Sequence, residues 1–262
     1  MTNYQFFERC ITEAQCKDRL CQLRWPNGFV CPKCGHDKAW KINGILYECA
    51  KCGRQTSATA GTMFQGTRKP LQIWFEAMYW VAAQENRVSI KEMQQELELD
   101  SYKTARVWLQ KIRGSMTCTN QLKLSGVVEA GLYTTENKSI VAIGVELLGT
   151  TGQLGRACMK ILPEVNGNTL TGFIKECMEP SGIAVTEKIP HVHKVGTQFE
   201  DWLYGSHCSA VHEMQLQAYL DEYIFRFNHR NAKDKGMLFD HMLACAMQAA
   251  SAEQANNHLS EG

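Results

Sequence analysis

The sequence lacks a long hydrophobic run. Its longest dense apolar stretch, Trp74 to Ala83, spans ten residues and contains Glu76, whereas a membrane helix needs about 20 apolar residues. No transmembrane span is expected. The first ten residues, MTNYQFFERC, carry Glu8 and lead into no apolar signal core, so a cytoplasmic location is expected. Net charge is nearly missing too: 28 Lys and Arg stand against 27 Asp and Glu, a formal +1. That small total hides an asymmetry. Residues 1–120 hold 17 basic against 11 acidic residues, and residues 121–262 hold 11 against 16. A polyanionic partner is therefore expected to meet the first half. With 44% hydrophobic and 21% charged residues over 262 positions, the composition excludes a disordered chain and fits two compact units.

A disulfide framework is also missing. Eight of the twelve cysteines, Cys10, Cys16, Cys21, Cys118, Cys158, Cys177, Cys208 and Cys245, follow no repeated spacing. That scatter fits buried free thiols. The other four stand as Cys31-x2-Cys34-x14-Cys49-x2-Cys52. Two such pairs present four thiolates, enough to close a tetrahedral zinc site. Between them, Ala39 to Ile42 and Ile45 to Cys49 read as short strands joined by Asn43-Gly44, a favoured two-residue hairpin turn. His36 is close enough in sequence to replace a thiolate, but four cysteines make it unnecessary. A closed four-cysteine site leaves no open coordination position, so Zn²⁺ here is expected to be structural. The ligands do not say whether the ribbon meets DNA or protein.

Before the ribbon, residues 3–23 read as one or two amphipathic helices with Phe6, Phe7, Ile11, Leu20 and Leu23 available for packing. After it come Arg68-Lys69 and then Pro70, well placed at a helix start. Leu71, Trp74, Phe75, Met78 and Ala82 form a core stripe. Ser89 with Glu92 has the form of a capping box, and Ile90, Met93 and Leu97 line one face. A polar break follows around Leu99, with Asp100 or Ser101 able to cap the next helix. There Ala105, Trp108, Leu109 and Ile112 face inward, while Lys103, Arg106 and Gln110 share another face at helical spacing. The pair suits a helix-turn-helix whose second helix enters the major groove of double-stranded DNA. Arg68, Lys69, Lys103, Arg106, Gln110, Lys111 and Arg113 are the candidate DNA contacts.

From Gly126 the pattern changes. Val127 to Ala130, Ile140 to Leu148, Arg156 to Leu162 and Ile183 to Thr186 read as strands. Asn168 to Met178, Val211 to Phe227 and Gly236 to Ala249 read as helices. This order fits a mixed α/β domain of the ribonuclease-H-like kind. The expected layout is N-terminal helices over 1–24, a zinc ribbon over 25–60, a helical region over 61–118, the α/β domain over 122–250 and a polar tail over 251–262. His191, His193, His207 and His212, with Cys208, read as solvated or structural groups.

The segments AGTMFQGTRKPLQIWFEAMYW, SIKEMQQELELDSYKTARVWLQKIR, GVVEAGLY and YLDEYIFRFNHR, with the ribbon, resemble the zinc-ribbon insertion-sequence transposases of bacteria related to Merlin elements. The resemblance runs over about residues 5–247. It implies a ribonuclease-H-like nuclease in which three metal-binding side chains hold two Mg²⁺ ions for phosphoryl transfer in DNA. It also implies work as a dimer or higher oligomer on the nucleoid. By that resemblance the first acid falls on Ala130, three residues before Tyr133, and a methyl group cannot ligate a metal. The second falls on Glu187, where the family has aspartate. The third falls on Phe199 or Gln198, just before Trp202. Glu129, Glu200 and Asp201 are adjacent acids out of register. The family's basic stretch after that tryptophan is replaced by LYGSHCSAV. A non-cleaving, site-specific DNA-binding protein is therefore expected, with Mg²⁺ needed only if displaced acids still act. Two other readings stand beside it: an active transposase that uses displaced acids such as Glu129, Glu187 and Glu200 with Mg²⁺, and an interaction scaffold whose protein partner meets the ribbon or the C-terminal domain.

Overall fold

The structure is a computed structural model that describes residues 12–84, 86–116, 123–149, 152–205, 216–231 and 234–247. Phe6, Phe7, Ile11, Cys10, Cys118, His207, Cys208, His212 and the 251–262 tail lie outside them. It is a mixed α/β protein in two units. One comprises Met1–Thr119 with Lys233–Gly262, the other Asn120–Ala232.

In the first unit, helix α1 (Glu13–Arg24) starts at a capping box between Thr12 and Gln15. Strands β1 (Ala39–Asn43), β2 (Leu46–Cys49) and β3 (Gln55–Ser57) form an antiparallel sheet in that order. The Asn43 carboxamide oxygen accepts from the Ile45 and Leu46 amides and closes the β1–β2 turn. Three helices follow: α2 (Leu71–Ala83), α3 (Ile90–Glu96) and α4 (Tyr102–Met116). The Ser89 hydroxyl accepts from the Glu92 amide, and the Glu92 carboxylate accepts from the Ser89 amide. The Ser101 hydroxyl caps α4 by accepting from the Thr104 amide. Trp74 and Trp108 stack at 3.7 Å between α2 and α4.

The second unit holds β4 (Val127–Thr134), β5 (Ile140–Leu148), β6 (Gln153–Leu162) and β7 (Ile183–Val185) in the order β6-β5-β4-β7. The first three pair antiparallel; β7 lies parallel to β4 after the crossover helix α5 (Thr169–Cys177). Helix α5 covers one sheet face, packing Phe173 and Cys177 on Val128 and Ala142. Helices α6 (Pro190–Tyr204) and α7 (Leu216–Asn228) cover the other, packing Val192, Phe199 and Leu220 on Val141, Ile143 and Val145. A Cβ on Gly196 would stand 2.5 Å from the Tyr133 ring, so this glycine lets α6 approach β4.

Two features differ from the sequence reading. Helix α6 is 15 residues long in a stretch where no helix was expected. Helix α8 (Lys235–Ala246), expected to end the α/β domain, belongs with the first unit. There Phe239 meets Phe75 and Tyr79, and the Met63 amide donates to the Ala246 carbonyl. Among the described residues no helix is long and apolar enough to cross a membrane.

Candidate metal centre and nucleic-acid interface

The four ribbon cysteines converge. Their sulfurs all lie within 4.8 Å of one another, with Cys31 to Cys52 and Cys34 to Cys49 each at 3.6 Å. A tetrahedron with Zn–S bonds of about 2.3 Å has edges of about 3.8 Å, so the donor set fits the ion in charge, softness and size. Among the described residues this is the one cluster of three or more metal-ligating side chains.

The local sequence explains the convergence. CPKCGH and CAKCGR are two copies of one knuckle. In the first, the Gly35 amide donates to the Cys31 carbonyl and the Cys31 amide to that of His36. In the second, Gly53 donates to Cys49 and Cys49 to Arg54. Gly35 and Gly53 have φ of 68° and 67°, a left-handed conformation that glycine adopts without strain. This glycine pair is a signal beyond the CxxC spacing itself. The inner face of the sheet is tied down by Tyr47, whose ring lies 5.0 Å from Trp25 and 5.9 Å from Phe29.

Helix α4 presents Tyr102, Lys103, Arg106, Val107 and Gln110 to solvent, while Ala105, Trp108, Leu109 and Ile112 are buried. Tyr102 and Val107 extend the exposed face beyond the polar residues read from sequence. Their helical spacing, Tyr102 four residues from Arg106 and Val107 four from Lys103 and three from Gln110, was the available signal. Three of the other candidate contacts stand differently. Arg113 is only 6% exposed and its Nη2 donates to the Val88 carbonyl at 2.9 Å. It secures the segment before α3 and is withdrawn as a DNA contact, because α4 turns this position inward beside Ile112. Lys111 is exposed but leans to the Met63 carbonyl and the Trp74 ring. Lys69 pairs with Asp100 at 2.9 Å, which holds the Asp100 carboxyl below its usual range. Arg68 is exposed.

In the second unit the acids are dispersed. Along β4, Val128 and Leu132 join the cluster under α5, and Ala130 is fully buried. Glu129 and Tyr133 turn to α6. Glu129 is 2% exposed; its Oε1 accepts from the Val192 amide and its Oε2 lies 2.7 Å from His191 Nδ1. Opposite an ionised Glu129, which only accepts, His191 Nδ1 is the donor of this pair. Helix α6 has no side-chain cap of its own, and Glu129 supplies one from the neighbouring strand. Phe199 is a core residue, whereas Glu187, Gln198 and Asp201 are exposed. Glu200 accepts from the Tyr133 hydroxyl at 2.5 Å and from the Glu136 amide at 2.7 Å.

The late-helix motif serves the sheet. The Asn228 carboxamide accepts from the Ala157 amide and donates to the Ala157 carbonyl. Gln217 accepts from the Ile161 amide, and Arg230 donates to the Leu154 carbonyl. Arg226 pairs with the fully buried Glu222 at 2.8 Å. The outer edge of β6 is thus bonded by side chains. Of the remaining cysteines, burial pushes the Cys16 thiol up to about 12, an unreactive state. Cys16, Cys21, Cys158 and Cys177 are free, whereas Cys245 is disulfide-bonded, which corrects the reading of that residue as a free thiol.

Residues 11–55 match the family described as the transposase zinc-ribbon domain. A protein of Halobacterium salinarum, "Uncharacterized protein in transposable element ISH50", is 30% identical over 98 residues. That stretch is 36% of this chain and 32% of the relative, so the chain spans about a third of that protein's length. No solved structure matches. The four-cysteine segment is therefore a transposase-type zinc ribbon.

Proposed function

We propose that this chain is a zinc-stabilised DNA-binding protein of transposase descent that binds duplex DNA through α4 and does not cut it. The observation that carries the reading is the solvent face of α4, where Lys103, Arg106, Val107 and Gln110 stand together beside a buried apolar face. Arg and Gln bond base edges, Lys neutralises phosphate and an apolar group meets the thymine methyl. We read α3 and α4 as the helix-turn-helix. The order β6-β5-β4-β7 with a parallel last strand supports descent from a ribonuclease-H-like domain. The non-cleaving half of the reading is supported by the commitments of the acids: Glu129 caps α6 and Glu200 holds Tyr133 and Glu136.

The zinc-loaded protein is used to capture host DNA fragments, and a bound fragment is titrated with protein across a salt series. Arg106→Ala is expected to weaken binding by roughly five- to 150-fold, equivalent to about 1–3 kcal/mol of base discrimination, with zinc content unchanged. Lys103→Ala is expected to reduce the salt slope by about 1. Unchanged affinity in both variants overturns the assignment to α4. Strand cleavage of the captured site with Mg²⁺ or Mn²⁺ overturns the non-cleaving reading.

A further inference from the structure

We infer that the outer face of the ribbon sheet binds unpaired DNA, with Trp40 as a stacking platform. This rests on the DNA-binding reading above but uses a different surface. Side chains alternate along β1. Lys41 turns inward, to Asp18 of α1 at 3.3 Å, and stands opposite Tyr47 of the inner aromatic cluster. Trp40 therefore turns outward and is 71% exposed; Ile42, at the register irregularity between Lys41 and Asn43, is 48% exposed. Lys38, two residues before Trp40, is exposed as well. Two large apolar side chains within three residues of one strand, both exposed, are unlike apolar residues scattered singly over a surface.

Charge identifies the occupant. The ribbon carries Lys33, Lys38, Lys41, Lys51 and Arg54 against Asp37 and Glu48. Glu48, opposite Trp40, has its carboxylate engaged by the Gln55 amide at 3.0 Å. A ligand for an exposed indole on a segment of net basic charge, with Lys38 two residues away on the same strand, has its own π faces and an anionic backbone. Single-stranded DNA has both, because its bases are not hidden in a stack of pairs. Duplex DNA offers its base edges to a helix such as α4 but shows no base face to a residue in mid-strand.

The test uses the full-length, zinc-loaded protein and fluorescence anisotropy with a labelled oligothymidine and with a duplex in parallel. Trp40→Ala is expected to weaken oligothymidine binding roughly tenfold or more, with duplex affinity and bound zinc unchanged. Trp40→Phe restores most of the loss, and Lys38→Gln lowers the salt slope for the single strand by about 0.7. Wild-type oligothymidine affinity in Trp40→Ala overturns the inference, as does an equal loss on both DNAs. Binding of an acidic peptide that Trp40→Ala abolishes, with oligothymidine unaffected, also overturns it and assigns the face to a protein. Failure of the α4 reading looks different: Arg106→Ala then leaves duplex binding intact while the Trp40 effect on the single strand persists.

Discussion

Glu129→Gln separates two roles that one carboxylate can have at this place in the fold. In the structure both oxygens are spent, one on the Val192 amide and one on His191, at a side chain buried to 3% exposure. As a helix cap, the carboxylate contributes a charge-assisted hydrogen bond of about 1.5–3 kcal/mol and a favourable interaction with the α6 dipole of about 0.3–2 kcal/mol. Glutamine keeps an acceptor for Val192 and loses the charge, so a loss of about 1–3 kcal/mol is expected. Alanine removes the acceptor as well and leaves a helix N-terminus unsatisfied, so a larger loss follows, about 3–5 kcal/mol. The assay is urea unfolding with and without Mg²⁺, paired with hydrogen exchange on peptides covering residues 190–196. Faster exchange at the start of α6, independent of Mg²⁺, is the expected result. A metal ligand behaves in the opposite way, since its removal relieves anionic repulsion when the ion is absent. Unchanged or increased stability of Glu129→Gln without Mg²⁺, together with loss of a Mg²⁺-dependent gain, would refute the capping role.

Two further predictions follow from the same geometry. Zinc is expected at one ion per chain, and chelation or Cys34→Ser is expected to raise hydrogen exchange over residues 25–60 while leaving β4 to β7 protected, because metal binding in such small modules is coupled to folding; retained protection of the ribbon without zinc would contradict this. Glu146 is pushed up by burial, but Arg156 and the Ser125 and Arg156 amides outweigh that and hold its carboxyl below the ordinary 4.5. Its folded pKa is depressed, so its contribution is present above the unfolded value and lost as pH falls through the folded one. Stability of the second unit is expected to drop below about pH 4.5, and acid unfolding of Glu146→Gln to be flatter in that window.

What the sequence showed depended on how local the determinant was. The ribbon was legible because its four ligands and the Asn43-Gly44 turn lie within a short stretch and each has one physical meaning. The Ser89–Glu92 box was legible for the same reason. Helix α6 was not, although Val192, Val195, Phe199 and Leu203 recur at helical spacing and Pro190 opens it. Pro190 is its one local start signal; the cap that would reinforce it comes from Glu129, distant in sequence. The place of α8 depends on Phe239 meeting Phe75 and Tyr79, a partnership that periodicity does not encode. Arg113 misled because a cation at the end of a basic helix looks solvated until its acceptor, the Val88 carbonyl, is known. Helical spacing also gave Lys103, Arg106 and Gln110 one face, but not their neighbours Tyr102 and Val107, since an apolar residue on a helix is ordinarily assigned to the core.

The side chains of α7 that bond the β6 backbone have a consequence for assembly. A strand whose outer Ala157 and Ile161 amides and Ala157 and Leu154 carbonyls are held by Asn228, Gln217 and Arg230 is a poor template for another chain, so the sheet of the second unit has a hindered end. At its other end β7 is three residues long. Chains joined edge to edge through this sheet would meet β7 to β7, and the pair would then show only hindered edges. Growth by strand addition beyond two copies would have to displace these side chains from β6, so the fold carries its own hindrance to filaments.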